Sequence, residues 1–224
     1  MTTKRFARIP VTDLARIALL PRVLKKTELK KFGLFVPRKS YFIVRRLLPW
    51  LYALDLPLFS VPQESWDRIE LEIRARAKPD FVDSCVEVAD LIWRLNLSRG
   101  TVAAKFSGPP FFVGPNHPVQ FPIAHVCRVS DRLLFPFVQM RRAHGLDIKG
   151  LGVLASMIRA AYVFGDYEKA GVEVIDLSIP KHMKGRQVRV FYGEDLPSYS
   201  LDDLNDMVFE VFEVIAEIEK EDEP

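Results

Sequence analysis

The sequence predicts an α/β fold, with α+β as the alternative, in which a mixed central sheet is flanked by helices. The runs VQFPIAHVCRV and LLFPFVQMRR are apolar at nearly every position, which is typical of strands that are covered on both faces. Segments with apolar residues at helical spacing come before and after these runs. Beyond residue 119 the order is strand, strand, helix, strand, strand, helix, and such alternation favours helices packed on the faces of a sheet.

The N-terminal region, residues 1–107, predicts helices and carries many basic residues. Asp13 is a candidate N-terminal cap for the first helix, Gly33 a candidate end for the second, and Pro49 a kink or end for the third. We expect this region to contribute to the core. The segments with helical spacing are, in order, LARIALL, PRVLKKTELKKFG, SYFIVRRLLPWLYALDLP, PQESWDRIELEIRARAKPD and PDFVDSCVEVADLIWRLN.

The segment GPPFFVGPNHP, residues 108–118, contains four prolines and two glycines and therefore predicts a loop. It separates the helical region from a predicted α/β core at residues 119–224. One single domain that includes both parts is the alternative.

Within the predicted core, two strands are joined by a short loop at residues 130–132. Asp147 is a candidate cap for the following helix, and Ser200 with Asp203 forms a capping box at the start of the last helix. Between these two helices lie the predicted strands GVEVIDLSI and RQVRVFYG.

Positive and negative charges are concentrated at opposite ends of the sequence. Residues 1–50 contain 13 Lys or Arg and two acidic residues, whereas residues 194–224 contain 12 Asp or Glu and one lysine. Such asymmetry indicates a basic arm that binds polyanions, an acidic tail that binds partners, or two ends that pack on each other. The sequence alone leaves these three interpretations open.

Cations are interleaved with aromatic residues in the segment KKTELKKFGLFVPRKSYFIVRR, and this composition is suited to neutralising phosphates and stacking on bases. The alternative is a solvated basic face with the aromatic rings in the core. The first interpretation predicts DNA or RNA as a partner. The predicted nucleic-acid-binding residues are Lys25, Lys26, Lys30, Lys31, Arg38, Lys39, Arg45, Arg46, Arg141 and Arg142.

The predicted hairpin places polar side chains in an otherwise apolar surrounding. With a three-residue loop, His125 faces Phe137 across the two strands. Because side chains alternate along a strand, His125, Gln139 and Arg141 then project from one face. Since unpaired buried polar groups are costly, this trio predicts either a site or a strand end that reaches solvent.

The order of elements over residues 80–219 resembles the PD-(D/E)xK nuclease superfamily, in particular its RecB-like branch. The resemblance implies a restriction-endonuclease-like fold, with His125 or a neighbour at the position of the metal-binding aspartate, Gln139 at that of the acid and Arg141 at that of the lysine. Glu87 stands for the acid on the preceding helix. Because divalent ions prefer carboxylate oxygens, this set implies a degenerate site without metal-dependent cleavage. We expect no catalytic residue, no metal ligand and no cofactor.

The sequence supports three hypotheses about function. The first is a nucleic-acid-binding protein on a degenerate nuclease-like core. The second is a protein-interaction or regulatory subunit that uses the basic arm and the acidic tail. The third is an active metal-dependent nuclease with displaced ligands, for which the candidate carboxylates are Glu87, Asp131, Glu173 and Asp176.

The cytoplasm is the location that the sequence predicts. Cys85 and Cys127 lie in apolar surroundings without metal-ligand spacing, which is typical of buried free thiols in a reducing compartment. The most apolar stretch, LLPWLYALDLPLF, contains Asp55 and two prolines and is shorter than the roughly 20 residues of a spanning helix. We therefore expect no membrane partner.

Overall fold

The computed structural model describes residues 9–32, 41–56, 59–114, 117–143, 145–180 and 182–221. The helices in these ranges are α1 (Val11–Ala18), α2 (Arg22–Phe32), α3 (Phe42–Leu47), α4 (Trp66–Arg76), α5 (Val82–Arg99), α6 (Ile148–Tyr162) and α7 (Leu201–Glu221). The strands are β1 (Ala53–Leu56), β2 (Phe59–Val61), β3 (Val102–Lys105), β4 (Phe111–Val113), β5 (His117–Val119), β6 (His125–Val129), β7 (Arg132–Gln139), β8 (Gly171–Asp176) and β9 (Arg189–Tyr192).

A seven-stranded mixed sheet forms the centre of the molecule, in the order β2-β1-β3-β6-β7-β8-β9. The pairs β1–β3 and β7–β8 are parallel, and the other neighbouring strands are antiparallel. Helices α1, α6 and α7 contribute buried side chains to the core on one face of the sheet, and α3, α4 and α5 to the core on the other. The predicted fold class, a mixed sheet flanked by helices, is confirmed.

Two predicted helix starts are confirmed at the level of hydrogen bonds. The Asp147 carboxylate caps α6 by accepting a bond of 2.8 Å from the Gly150 backbone N–H. At the start of α7, the Asp203 carboxylate accepts from the Ser200 N–H at 3.2 Å, and the Asp203 N–H donates to the Ser200 hydroxyl at 3.1 Å. This reciprocal pair satisfies backbone groups that the helix itself leaves without partners.

The predicted start of the first helix is wrong by a few residues. The helix begins at Val11, after the extended Pro10, and Asp13 is buried within its first turn instead of capping it. An acidic side chain in the first turn is still favoured by the helix dipole. The predicted end of α2 at Gly33 lies outside the described residues.

The third predicted helix ends near Pro49, which is one of the two predicted outcomes, and the apolar segment after it is not helical. A 3-10 turn covers Leu48–Trp50, and Ala53–Leu56 then forms β1 instead of continuing a helix. This strand pairs with β2 on one side and with β3 on the other. Backbone pairing with distant segments therefore outweighs the helical spacing of the apolar residues.

The segment 108–118 is more than a loop, because β4 and β5 pair as a separate two-stranded sheet. Phe111 and Val113 on β4 are buried, and they join the core beneath α6 and α7. The central sheet takes strands from both sides of this segment, since β3 pairs with β6. The division of the chain into two domains stays a prediction.

In the part of the chain that the structure describes, no helix has the length and apolar character needed to cross a bilayer.

Candidate functional site

The β6–β7 hairpin turns in two residues, Ser130 and Asp131. Val129 pairs with Arg132, and Ser130 adopts a left-handed φ of 52°, as two-residue hairpin turns commonly require. The predicted three-residue loop is therefore wrong, and the predicted register is shifted by one residue. Because side chains alternate along strands, a shift of one residue exchanges which β7 side chains share a face with those of β6.

His125 and Gln139 consequently lie on opposite faces of the sheet. His125 lies on the face of α3, α4 and α5, in a narrow crevice beside Tyr52, with 5.7 Å between the ring centroids. Burial lowers the pKa of His125, and the nearby charge of Lys105 lowers it further. Gln139 lies on the face of α1, α6 and α7, as do its strand neighbours Phe135 and Phe137.

The other two residues of the predicted degenerate site are bound elsewhere. Arg141 forms an ion pair with the buried Asp13 of α1, at 2.6 Å between Nη2 and Oδ2. Glu87 on α5 accepts a bond of 3.2 Å from Nε of Arg186. The structure therefore does not bring Glu87, His125, Gln139 and Arg141 together into one site.

Arg186 is a buried residue whose role sequence analysis did not detect. Its Nη1 donates to the backbone carbonyls of Met140 at 3.0 Å and Leu177 at 2.6 Å, where β7 and β8 have just ended. Its Nη2 donates to the Tyr41 hydroxyl, and its guanidinium lies over the Tyr41 ring at 5.4 Å from the centroid. One side chain thus joins the sheet, α5 and the start of α3.

A row of polar side chains crosses β7, β8 and β9 on the Gln139 face. Gln139 is the backbone partner of Asp176, and Asp176 is the partner of Arg189. The Arg189 guanidinium donates to the Asp176 carboxylate at 2.6 Å and to the Ser178 hydroxyl at 2.9 Å. Nε2 of Gln139 and Nε of Arg189 are buried without a hydrogen-bond partner among the described residues. The row neutralises Asp176, which explains how a carboxylate is accommodated in the core.

The carboxylates proposed for an active nuclease also lie apart. Glu173 points to the face opposite Asp176, where it accepts a bond of 2.7 Å from Arg99. Burial raises the pKa of Glu173, and the Arg99 charge opposes that increase. Asp131 is exposed in the hairpin loop. Among the described residues, no three His, Cys, Asp or Glu side chains are placed to hold a metal ion.

The basic arm packs on the acidic C-terminal helix. Arg22 binds Glu217 at 2.5 Å and Glu213 at 3.3 Å, and the Lys25 ammonium binds the Glu210 carboxylate. Glu221 binds both Lys26 and Lys30. Of the three interpretations of the charge asymmetry, the structure therefore shows the one in which the two ends pack on each other.

The remaining predicted nucleic-acid-binding residues lie in several environments. Lys31 pairs with Glu28 within α2, and Arg46 lies over the Phe42 ring at 5.9 Å from the centroid. Arg45 is exposed and lines the crevice beside His125, and Arg142 is exposed after β7. Arg38 and Lys39 lie outside the described residues.

One edge of the central sheet is exposed and carries an aromatic side chain. Strand β2 pairs with β1 alone in the described structure, so its outer backbone groups face no neighbouring strand. Phe59, the first residue of this strand, is 61% exposed. Another polypeptide can form backbone hydrogen bonds with such an edge strand and can receive the exposed aromatic ring in a pocket of its own. We refer to Phe59–Val61 as the β2 edge.

Comparisons with known proteins give consistent results along almost the whole chain. The sequence model of one family, described as "Sliding clamp-binding bacterial toxin SocB", matches residues 12–223. The DNA replication inhibitor toxin SocB of Caulobacter vibrioides (strain NA1000 / CB15N) is 28% identical over 237 aligned residues. The alignment covers 96% of this chain and 92% of that relative.

These matches correct the interpretation of the sequence as a DNA-binding, nuclease-like protein, which is wrong because the family is described by its binding to a sliding clamp. They favour the second hypothesis, a protein that acts through contact with another protein. The resemblance in element order to the PD-(D/E)xK superfamily is not tested by these matches and stays a prediction. Because the family match extends over residues 12–223, this chain belongs to the family described as sliding clamp-binding bacterial toxin SocB.

Proposed function

We propose that this protein is a toxin that inhibits DNA replication by binding the sliding clamp. The observation that carries the proposal is the family match over residues 12–223, together with the relative named as a DNA replication inhibitor toxin. The proposed activity is stoichiometric protein binding. For a bacterial protein with this partner, the proposed site of action is the cytoplasm.

The β2 edge is the surface that we propose for contact with the clamp. Phe59 offers a large apolar ring to a partner without any rearrangement of the core, because 61% of it is already accessible. Ser60 beside it is exposed and small, so a second backbone is able to approach the strand closely. Aromatic side chains that enter a pocket of the partner supply much of the free energy in protein interfaces.

A binding measurement with the purified sliding clamp of the organism that encodes this chain tests both parts of the proposal. We expect saturable binding by surface plasmon resonance or calorimetry. Replacement Phe59→Ala is expected to weaken it by about 2 kcal/mol, or roughly 30-fold in Kd. Phe164→Ala is the matched control, because Phe164 is 57% exposed but lies after α6, away from the sheet edge. Its Kd is expected to equal that of the unmodified protein.

The possible results distinguish an error in the proposed function from an error in the proposed binding surface. Failure of the unmodified, folded chain to bind the clamp would contradict the proposed function. Clamp binding that is equally strong in the Phe59 and Phe164 variants would retain the function and reject the β2 edge as its surface. In DNA synthesis reactions, inhibition is expected when the clamp is included and is expected to be absent when the clamp is omitted.

A further inference from the structure

Helix α2 departs from the pattern of an ordinary surface helix, because it buries one of its cations and exposes two apolar side chains. Its Lys25 is 1% exposed and packs inward, whereas Val23 is 78% exposed and Leu24 is 51% exposed. Leu29 is the apolar side chain that α2 adds to the core, as far as its side chains are described. Surface helices normally bury an apolar stripe and expose their cations. The docking of α2 therefore depends much less on apolar burial than that of its neighbours.

Ion pairs between α2 and α7 hold the helix where an apolar stripe would ordinarily do so. Lys25 binds the Glu210 carboxylate, and its ammonium also donates to the Met207 backbone carbonyl at 3.3 Å. Around this buried contact, cations along α2 meet acids along α7 at solvent-accessible positions. The accessible contacts are Arg22 with Glu210, Glu213 and Glu217, Lys26 with Glu221, and Lys30 with Glu221.

The segment before α2 has its own anchor on the sheet, and an ion pair of 2.9 Å between Arg16 and Glu28, with both side chains partly accessible, links it to α2. Helix α1 buries Leu14, Ala15 and Ile17, and its Asp13 is paired with Arg141 at the end of β7. Between α1 and α2 lie Leu19 to Pro21, where proline prevents one continuous helix. This connection allows α2 to leave α7 while α1 stays docked on the sheet.

We propose that α2 is a releasable arm that is held on α7 by charge, and that ionic strength controls its release. Accessible ion pairs weaken as salt screens them, whereas apolar contacts do not. Release of α2 uncovers the acidic face of α7. Val23 and Leu24, which are exposed already in the docked state, move away from α7 with the arm. This proposal is independent of clamp binding and concerns the opposite side of the sheet from α4 and α5.

Hydrogen exchange of backbone amides in the full chain measures the release directly. Between 50 mM and 500 mM NaCl, we expect exchange in α2 to accelerate on the order of tenfold, while exchange in α6 stays unchanged. Equal acceleration in α2 and α6 would indicate global destabilisation and would overturn the proposal. A salt-independent α2 would overturn it as well.

Two substitutions that remove acidic partners on α7 are expected to loosen α2. Glu210→Gln leaves the buried Lys25 ammonium without its carboxylate, so α2 should exchange at 50 mM NaCl as fast as the unmodified protein does at 500 mM. Glu221→Gln removes the accessible pairs with Lys26 and Lys30, so exchange in α2 should be faster at 50 mM NaCl and should respond less to salt. If α2 were held mainly by packing, both variants would leave the salt response unchanged.

Glu72→Gln is the matched control, because Glu72 forms an ion pair with Arg76 within α4, at 2.6 Å and away from α2. Its α2 exchange should equal that of the unmodified protein. Exchange in α6 reports in every variant whether the fold is intact. If Glu210→Gln does not fold, the Glu221→Gln variant remains a test, and a salt response of α2 equal to that of the unmodified protein would contradict the proposal.

Discussion

Gln139 and Asp176 are backbone partners in the parallel pairing of β7 with β8, so their side chains lie side by side on one face of the sheet. The strand pattern of the sequence predicts Gln139 on the same face as His125, whereas the two lie on opposite faces. On this face of the sheet, the polar side chains therefore neutralise a buried carboxylate, and their contribution to the free energy of unfolding can be measured.

Asp176→Ala is expected to destabilise the protein by about 3 kcal/mol. The carboxylate is 1% exposed, and it accepts from Arg189 at 2.6 Å and from the Ser178 backbone N–H at 2.8 Å. Urea unfolding monitored by circular dichroism measures the loss. Asp83→Ala is the control, because that side chain is 99% exposed, and it should change stability by less than about 0.5 kcal/mol. A similar small effect at Asp176 would show that the row is not stabilising.

Arg186→Leu is expected to cost about 3 kcal/mol or more, because the carbonyls of Met140 and Leu177 lose their shared donor. Arg186→Lys should recover only part of this loss, since one ammonium does not reproduce the planar fork of a guanidinium. Arg94→Leu removes an exposed helix pair with Asp90 and serves as the control. Equal midpoints of urea unfolding for the Arg186 and Arg94 variants would contradict this role.

His125 is expected to make stability depend on pH. Burial holds its folded-state pKa below the ordinary value of 6.5, so the unfolded chain takes up this proton first. The resulting contribution is constant above pH 6.5 and decreases as the pH falls from 6.5 towards the lowered folded-state pKa. His125→Phe should reduce the difference in melting temperature between about pH 7.5 and about pH 5.5.

The exposed His182 provides the comparison for this pH effect. Its φ of 71° is left-handed, and asparagine tolerates that conformation, so His182→Asn removes a histidine without strain. The pH dependence of the His182→Asn variant should match that of the unmodified protein. An unchanged pH dependence in His125→Phe would show that other groups cause it.

Both thiols are expected to be unreactive in the folded protein. Burial raises the pKa of Cys127 far above its ordinary value, and burial also raises the pKa of Cys85. A disulfide reagent at pH 8 should therefore label neither residue until denaturant is added, after which both should react. Ser98→Cys places a thiol at an exposed position of α5 and should react at once. Rapid labelling of the unmodified protein would contradict the placement of Cys85 or Cys127.

The hydrophobic pattern was sufficient to predict the two-sided sheet and most helices, because burial on both faces of β6 and β7 is visible in their composition. It was insufficient for the register of β6 and β7. The apolar pattern of the two strands fits a turn of two or of three residues at Ser130, and the choice decides which β7 side chains share a face with those of β6. The spacing in Ala53–Leu56 fits a helix or a strand, and only pairing with β3 decides between them.

The candidate site could be predicted only in part for similar reasons. Opposite charge at the two ends left packing of α2 on α7 as one of three interpretations, and no pattern indicated that Lys25 is buried there. The role of Arg186 depends on carbonyls from two strands more than 35 residues apart, which no local pattern contains. The proposed binding through the β2 edge requires only an accessible strand and one aromatic ring, and such a surface has no catalytic motif that a sequence could reveal.

The contact between Arg22 and Glu213 joins positions that are 191 residues apart in the chain. During synthesis, α2 leaves the ribosome long before α7 exists, so its buried lysine has no counter-charge until every strand of the central sheet has been made. Domains gain such long-range contacts late in folding, after local structure has formed. The nascent chain therefore carries the buried lysine of α2 without its α7 carboxylate through most of its translation, and completion of α7 is the event that neutralises it.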